Sequence, residues 1–354
     1  MKVSAILCEW YRVYKRDLPW RDIDNPYYIW LSEIIMQQTR ISQGLEYYNK
    51  FTLKYPSIYD LANAPFDEVL KLWQGLGYYT RARNLHVTAK TIVNQYDGRF
   101  PCTYKELLTL KGIGEYTAAA IASIAVKQPV AVVDGNVSRV INRLFAIELP
   151  VDSASGKDRI HLYASGMLDA RHPDIHNQAL MELGALVCLP RNPQCSACVL
   201  RLHCQARLQG ISDILPVKKE KGKVRLRYFN YFFIRYKGGT YLRKRTGSDI
   251  WHSLYEFPMI ETSSESTIHE ILALHPPNNF LTAMEPLEIV HSVTYRHKLT
   301  HQTLICRFYT IDPHTAPDVR NSDYHAVLLD HIANYAVPRV IDLYIHESLQ
   351  LRIP

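Results

Sequence analysis

No stretch of the 354-residue chain carries an apolar run long enough to span a membrane, so no transmembrane helix is expected. The segment Met1–Trp20 lacks an apolar stretch followed by a small-residue cleavage site, and secretion is not expected. There is no internal repeat and no low-complexity tract. Cysteine is sparse and uneven: of seven, Cys8, Cys102 and Cys306 are scattered, while Cys188, Cys195, Cys198 and Cys204 are crowded together. A disulfide scaffold would spread them more evenly over a smaller chain. A reducing cytoplasm and a single metal site fit better, so a cytoplasmic location is expected. Neither sign of charge dominates: Lys and Arg number 41 against 34 Asp and Glu, a formal net charge of +7. That balance is compatible with a nucleic-acid partner without arguing for one.

What is present is a globular composition, 47% hydrophobic and 21% charged, on a length that suits two domains. The first part reads as helices punctuated by prolines. Pro65 opens a helix over Pro65–Trp73, with Phe66, Val69, Leu70 and Trp73 at helical spacing. Thr103 and Glu106 form a capping box before Leu107. Trp30–Tyr48 and the alanine-rich Tyr116–Val126 read as further helices, and no strand is expected before the cysteine cluster. Pro216–Lys223 is polar, charged and led by proline, which marks a linker, drawn over 216–227 between a domain of 1–215 and one of 228–354. Beyond it, Tyr228–Tyr236 and Tyr241 onward flank Lys237-Gly-Gly-Thr240, a hairpin signal. Strands are expected at Leu287–Thr294 and Leu304–Ile311, and helices at Leu328–Asn334 and Val337–Leu349. The second part is therefore α+β.

Three features carry chemistry. The cysteines follow C-x6-C-x2-C-x5-C, a loop that can close on zinc or on an iron–sulfur cubane, and ligand softness does not separate the two. Arg191, Arg201, His203 and Arg207 lie among them, as phosphate contacts or as ordinary surface charges. In Leu110-Lys-Gly-Ile-Gly-Glu-Tyr-Thr-Ala118, Gly112 and Gly114 bracket one apolar residue ahead of a helix. Such a turn either reverses the chain or offers amides to a phosphate at the helix N-terminus. Glu33 reads as a lone acid at the N-terminal end of an apolar helix, either a capping glutamate or a general acid in an apolar pocket. Asp134, preceded by three apolar residues and followed by Gly, caps the next helix and can also aim its carboxylate at a cleft.

At these residues the chain resembles the helix-hairpin-helix glycosylase superfamily, in its adenine glycosylase branch. The matching stretches are Leu18-Pro-Trp-Arg21, Trp30–Thr39, Gly75–Asn84, Leu110–Ala118, Val133–Val137, Asn177–Ala185 and the four cysteines, and they reach to about Cys204. The resemblance implies a two-lobed all-helical domain, and a [4Fe–4S] cluster on Cys188, Cys195, Cys198 and Cys204. It implies removal of adenine mispaired with 8-oxoguanine or guanine in double-stranded DNA. In that scheme Glu33 protonates N7 of the flipped adenine, and Asp134 stabilises the oxocarbenium-like sugar, directly or through a covalent intermediate. Tyr116 and Asn136 support the pair. Arg21 and Gln178 read the adenine edge, while Gln38, Thr39, Leu76 and Tyr78 wedge into the duplex. Strand-cutting relatives carry a lysine where this chain has Tyr116. Lys111 falls elsewhere in the turn, where the family usually has proline, so base removal without efficient strand cleavage is expected. Ser138, where some relatives have lysine, should remove incidental amine adducts.

The second part resembles the Nudix-like domain of the same branch. Trp251-His-Ser-Leu-Tyr-Glu-Phe-Pro258 is similar to that family's Gly-Leu-Trp-Glu-Phe-Pro signature. No Arg-Glu-x-x-Glu-Glu helix follows, and Ser263–Glu270 does not supply the carboxylates a Mg²⁺ site needs, so nucleotide hydrolysis is not expected. His291-Ser-Val-Thr-Tyr-Arg-His-Lys298 is aligned with the family's lesion-contacting His-x-Phe-Ser-His-x-His, which assigns lesion contact to Thr294 and His297 and sets Tyr295 in place of a histidine. Two other readings remain: a pyrimidine-lesion glycosylase with lyase activity, which Tyr116 opposes, and a redox-sensing DNA-binding protein, which Glu33 and Asp134 oppose. A monomer is expected.

Overall fold

The computed structural model describes residues 3–219, 224–274, 289–320 and 322–349. Helices come first: α1 (Val3–Tyr14), α2 (Pro26–Met36), α3 (Ile41–Lys54), α4 (Ile58–Asn63), α5 (Phe66–Trp73), α6 (Thr80–Tyr96), α7 (Tyr104–Leu107), α8 (Glu115–Ile124), α9 (Gly135–Leu144), α10 (Ala154–Met167), α11 (Pro173–Leu186) and α12 (Gln205–Leu208). Then follow β1 (Arg225–Ile234), β2 (Gly239–Lys244), β3 (Tyr255–Glu256), β4 (Met259–Thr262), α13 (Ile268–Ala273), β5 (Ile289–Lys298), β6 (Gln302–Ile311), β7 (His325–Leu328), a 3₁₀ turn at Leu329–Asn334 and α14 (Arg339–Leu349).

The chain divides into two compact units, Met1–Ala64 with Asn84–Lys221, and Pro65–Arg83 with Gly222–Pro354. The division is thus not one cut near residue 215. Helix α5 and the turn after it group with the C-terminal strands. The linker drawn over 216–227 also overlaps β1, since residues 225–227 are already strand. Its first residues are pinned rather than free: the Val151 amide donates to the Val217 carbonyl at 3.0 Å and the Lys219 amide to Asp152 Oδ1 at 3.1 Å.

In the helical unit, α8 is buried from Thr117 to Ile124, which explains its alanines: small side chains let neighbours approach an element covered on all sides. A second core joins Leu7 and Tyr11 of α1 with Val137, Val140 and Ile141 of α9 and Ala179, Leu180 and Leu183 of α11. The single helix expected over Trp30–Tyr48 is two. α2 stops at Met36, Gln38 takes φ +55°, and α3 restarts after Arg40. No glycine or proline marks the break, so the apolar periodicity runs through it. The strained φ is kept by its surroundings, with Gln37 Nε2 donating to Thr117 Oγ1 at 3.2 Å.

In the second unit one sheet runs β4-β1-β6-β5, with β1 and β6 parallel, and a smaller one runs β3-β2-β7. The expected hairpin at Lys237–Thr240 is only a turn. Lys237 and Gly238 take φ +46° and +73°, but the ladder ends after one bridge, Tyr236 to Gly239, and β1 and β2 enter different sheets. The core is aromatic: Tyr231 stacks on Phe308 at 4.9 Å, and Phe308 on Tyr344 of α14 at 4.2 Å.

Candidate active site and DNA-contact elements

Helix α2 brings Glu33 into the helical unit in its last turn, not at its N-terminal end as expected. The dipole there disfavours a carboxylate, so a helix-capping role is excluded. Glu33 is buried, and burial lifts its pKa to about 7, opposed by a hydrogen bond from the Tyr116 hydroxyl to Oε2 and reinforced by Asp134. Asp134 caps α9: its Oδ1 accepts from the Val137 amide at 2.6 Å and its Oδ2 from Asn136 Nδ2 at 2.8 Å. Burial raises its pKa, and these bonds work against that rise.

Both acids line one pocket of about 200 Å³, on the scale of a single base. Tyr116, Asn136, Arg21 and Gln178 line it too, so all six residues assigned to catalysis and adenine reading converge. Arg21 and Gln178 are already engaged. The Arg21 guanidinium donates to both oxygens of Glu182, at 3.0 and 2.5 Å. Gln178 accepts from the Tyr11 hydroxyl at 3.2 Å and donates to the Asp174 carbonyl. Sequence reasoning missed Glu182 and Arg16, whose guanidinium also binds both Glu182 oxygens, at 2.9 and 2.6 Å. Glu182 stands one helical turn after Gln178 on α11, a signal available from the i, i+4 spacing.

The pocket shares Met36, Thr39, Tyr116, Asp134 and Asn136 with a groove of about 1370 Å³ that Gln38, Gly112 and Gly114 also line. Of the two glycines only Gly112 needs its freedom: its φ is +76°, and a Cβ there would meet Asn84 at 2.5 Å. Gly114 is extended, with φ −90°, and faces open space as N-cap of α8. That leaves amides at the α8 N-terminus turned to the groove, as phosphate binding requires.

Helix α9 ties this pocket to the cysteine loop. Arg139 donates to Asn136 Oδ1 at 2.9 Å and to the Cys188 carbonyl at 2.6 Å. Arg143 donates to Cys188 Sγ at 3.3 Å and to the Leu189 carbonyl at 2.7 Å. Cys188, Cys195, Cys198 and Cys204 line one cavity with Arg143, Arg201 and Arg207. Burial pushes the Cys198 thiol up to about 11, and the other three cysteines add to the shift. Among the described residues no three His, Cys, Asp or Glu stand as a single-ion site. Four thiols lining one cavity are a donor set that fits a tetrahedral metal or an iron–sulfur cubane.

The remaining assigned residues lie in the second unit. Leu76 is buried, at 7% exposure, and Tyr78 is 49% exposed with φ +47°. Thr294 and His297 sit in β5, where burial alternates, and point to opposite faces. Thr294 is exposed and accepts from Arg307 Nε at 3.3 Å, while His297 packs inward against Trp251 at 5.8 Å. Tyr295 donates its hydroxyl to Glu347 at 2.6 Å. One lesion cannot meet both Thr294 and His297 from one side of the sheet. The quoted pattern fits a second frame six residues on, His297-Lys-Leu-Thr300-His301, which ends in the tight β5–β6 turn. Thr300 is exposed there, its hydroxyl 2.6 Å from that of Tyr78, and both line a cavity of about 710 Å³. In the segment expected to lack metal ligands, Glu265 pairs with Arg307 and Glu270 closes a capping box on Thr267.

A helical unit with a Gly-x-Gly hairpin facing a groove, and two buried acids in a base-sized pocket beside it, defines a DNA glycosylase of the helix-hairpin-helix class. A family model for HhH-GPD superfamily base excision DNA repair proteins matches residues 31–155, and a NUDIX domain model matches residues 230–347. The adenine DNA glycosylase of Buchnera aphidicola subsp. Baizongia pistaciae is 35% identical over 301 residues, 84% of this chain and 82% of that one. The Homo sapiens adenine DNA glycosylase is 43% identical over 210 residues, 57% of this chain and 38% of its own. A thermostable thymine-DNA glycosylase superposes with a TM-score of 0.53 at 30% identity, covering 58% of this chain and 95% of that chain. The chain belongs to the adenine DNA glycosylase family. No helix among the described residues is long and apolar enough to cross a membrane.

Proposed function

We infer that the protein excises adenine from duplex DNA by hydrolysing its N-glycosidic bond, and that the adenine stands opposite 8-oxoguanine or guanine. The carrying observation is the pocket in which Glu33, lifted to about 7, faces Asp134 at the tip of α9. A flipped base costs a few kcal/mol to unstack, least at a mispair. Glu33, near neutrality and in apolar surroundings, donates a proton to the purine ring and makes it a better leaving group. Asp134, at a helix N-terminus, holds negative charge beside the sugar as positive charge develops there. Tyr116 and Asn136 fix the two carboxyls, and the amides ahead of α8 take a phosphate. No lysine occupies position 116, so the chain hydrolyses without forming an imine to the sugar there.

The four cysteines would hold a [4Fe–4S] cluster. If bound, it would fix the loop from 188 to 204 against α9 and so hold that loop's arginines in place for the DNA backbone. For lesion reading, Thr300 replaces Thr294: its hydroxyl stands in an exposed turn beside Tyr78.

The test is single-turnover adenine release from duplexes with adenine opposite 8-oxoguanine, guanine or thymine, with and without hot alkali. Fast release opposite 8-oxoguanine, slow release opposite guanine and strand cuts only after alkali support the reading. Cuts without alkali favour a lyase, and binding without release favours a sensor. Thr300→Val should cut the 8-oxoguanine preference about tenfold, the worth of one lost hydrogen bond to a polar group, while Thr294→Val leaves it unchanged. The reverse pattern restores the assignment to Thr294.

A further inference from the structure

The turn between α5 and α6 is held in an uncommon shape. Gly75, Gly77 and Tyr78 take φ of +102°, +72° and +47°, and tyrosine does not favour that region. Something must over-determine it. Trp73 Nε1 donates to the Gly77 carbonyl at 3.0 Å, and the Arg81 amide to the Tyr78 carbonyl at 2.8 Å. The Arg81 guanidinium reaches the carbonyls of Leu76 and Gly77, both at 3.4 Å. It also lies 5.1 Å from the centroid of the buried Trp73 ring and 5.5 Å from that of Tyr78, within cation–π range of both. The side chain is half-buried, and burial lowers its pKa to about 10.

We propose that Arg81 is the positioning residue of this turn: it backs one face of the Tyr78 ring and grips the two preceding carbonyls, so that the ring is preformed as a platform on which a base of the opened duplex stacks. The inference rests on the reading of Tyr78 as a wedge. A planar cation suits the place because it can face an aromatic ring and donate in its own plane; an ammonium cannot do both. Gly77 leaves space beside the platform, since a Cβ there would meet nothing within 4 Å.

The experiment uses the full chain with Arg81→Lys and Tyr78→Ala, each checked by thermal melting. Adenine release is measured on a mispaired duplex and on a duplex with adenine opposite an abasic site, where no partner base has to be displaced. A 2-aminopurine beside the mispair reports unstacking by fluorescence. Arg81→Lys is expected to lose about tenfold in release on the mispair, together with the fluorescence rise, and to recover near wild-type release opposite the abasic site. Equal loss on both substrates makes Arg81 a general structural residue and overturns the proposal, as does a wild-type fluorescence rise. If Tyr78→Ala keeps both release and fluorescence, the wedge reading itself fails and the proposal with it. If Tyr78→Ala loses them and Arg81→Lys does not, only the proposal fails.

Discussion

Glu33 and Glu182 line the same pocket, and their surroundings drive them apart. Both are buried, and burial alone would raise both. Glu33 has a single phenol donor and a second acid as its influences, and rises to about 7. Glu182, at 1% exposure, also feels that desolvation, but two guanidiniums and the Arg16 amide outweigh it and bring it down to about 2. Two carboxyls in one small space thus take two states at neutral pH, one able to give a proton and one fixed as an anion. The difference teaches that the acid is made by the absence of a cation bonded to it as much as by burial.

Glu33→Gln breaks the comparison most deeply. Removing a positioned general acid should slow adenine release by about 10²- to 10⁴-fold, read in single turnover. In the wild type, release should fall as pH rises through about 7, where Glu33 loses its proton. A flat profile through that range would deny Glu33 the role.

Glu182→Gln should cost about 3–5 kcal/mol of stability in denaturant unfolding, since it strands two arginines, one of them buried. The pH dependence has the ordinary sign for a depressed acid. The stability Glu182 contributes is complete above its unfolded value of 4.5 and drains away as pH falls towards 2. Glu33 has the opposite sign. Its folded value is raised, so its contribution is complete below 4.5 and is lost as pH climbs to about 7. Glu33→Gln should therefore be more stable than the wild type at pH 8, by about 3 kcal/mol, while inactive. A variant equally stable at pH 5 and pH 8 relative to wild type would show that Glu33 is not held neutral by the fold.

How far the sequence discloses this differs between the units. In the helical unit the acids, the hairpin glycines and the cysteines stand on helix ends and short turns, where spacing fixes position; the acids share one pocket, the glycines line the adjoining groove and the cysteines line a separate cavity. The break at Gln38 was illegible because no glycine or proline signals it and the strain is held by tertiary bonds. The spacing from Gln178 places Glu182 on the pocket face, but its pairing with Arg16 was illegible because it spans 166 residues. In the β5–β6 hairpin a short pattern fits two frames, and only strand alternation, visible in three dimensions, separates Thr294 from His297 and leaves Thr300 in the turn. The grouping of α5 with the C-terminal strands had no local signal either, because composition changes at the linker and not at Pro65.

Tyr116 offers the finest adjustment of the contrast. Its hydroxyl donates to Glu33, and this bond lowers the Glu33 value while burial raises it. Tyr116→Phe removes the donor and keeps the ring, so the carboxylate form loses its one direct stabiliser. The falling limb of the pH–rate profile should move upward, by about one pH unit for a hydrogen bond to a charged group. At pH 7 more of the enzyme would be protonated, yet each molecule would hold its acid less firmly aimed, so the plateau rate should drop while the limb shifts. A downward shift would mean that the phenol stabilises the neutral acid instead, and so adds to the rise that burial causes.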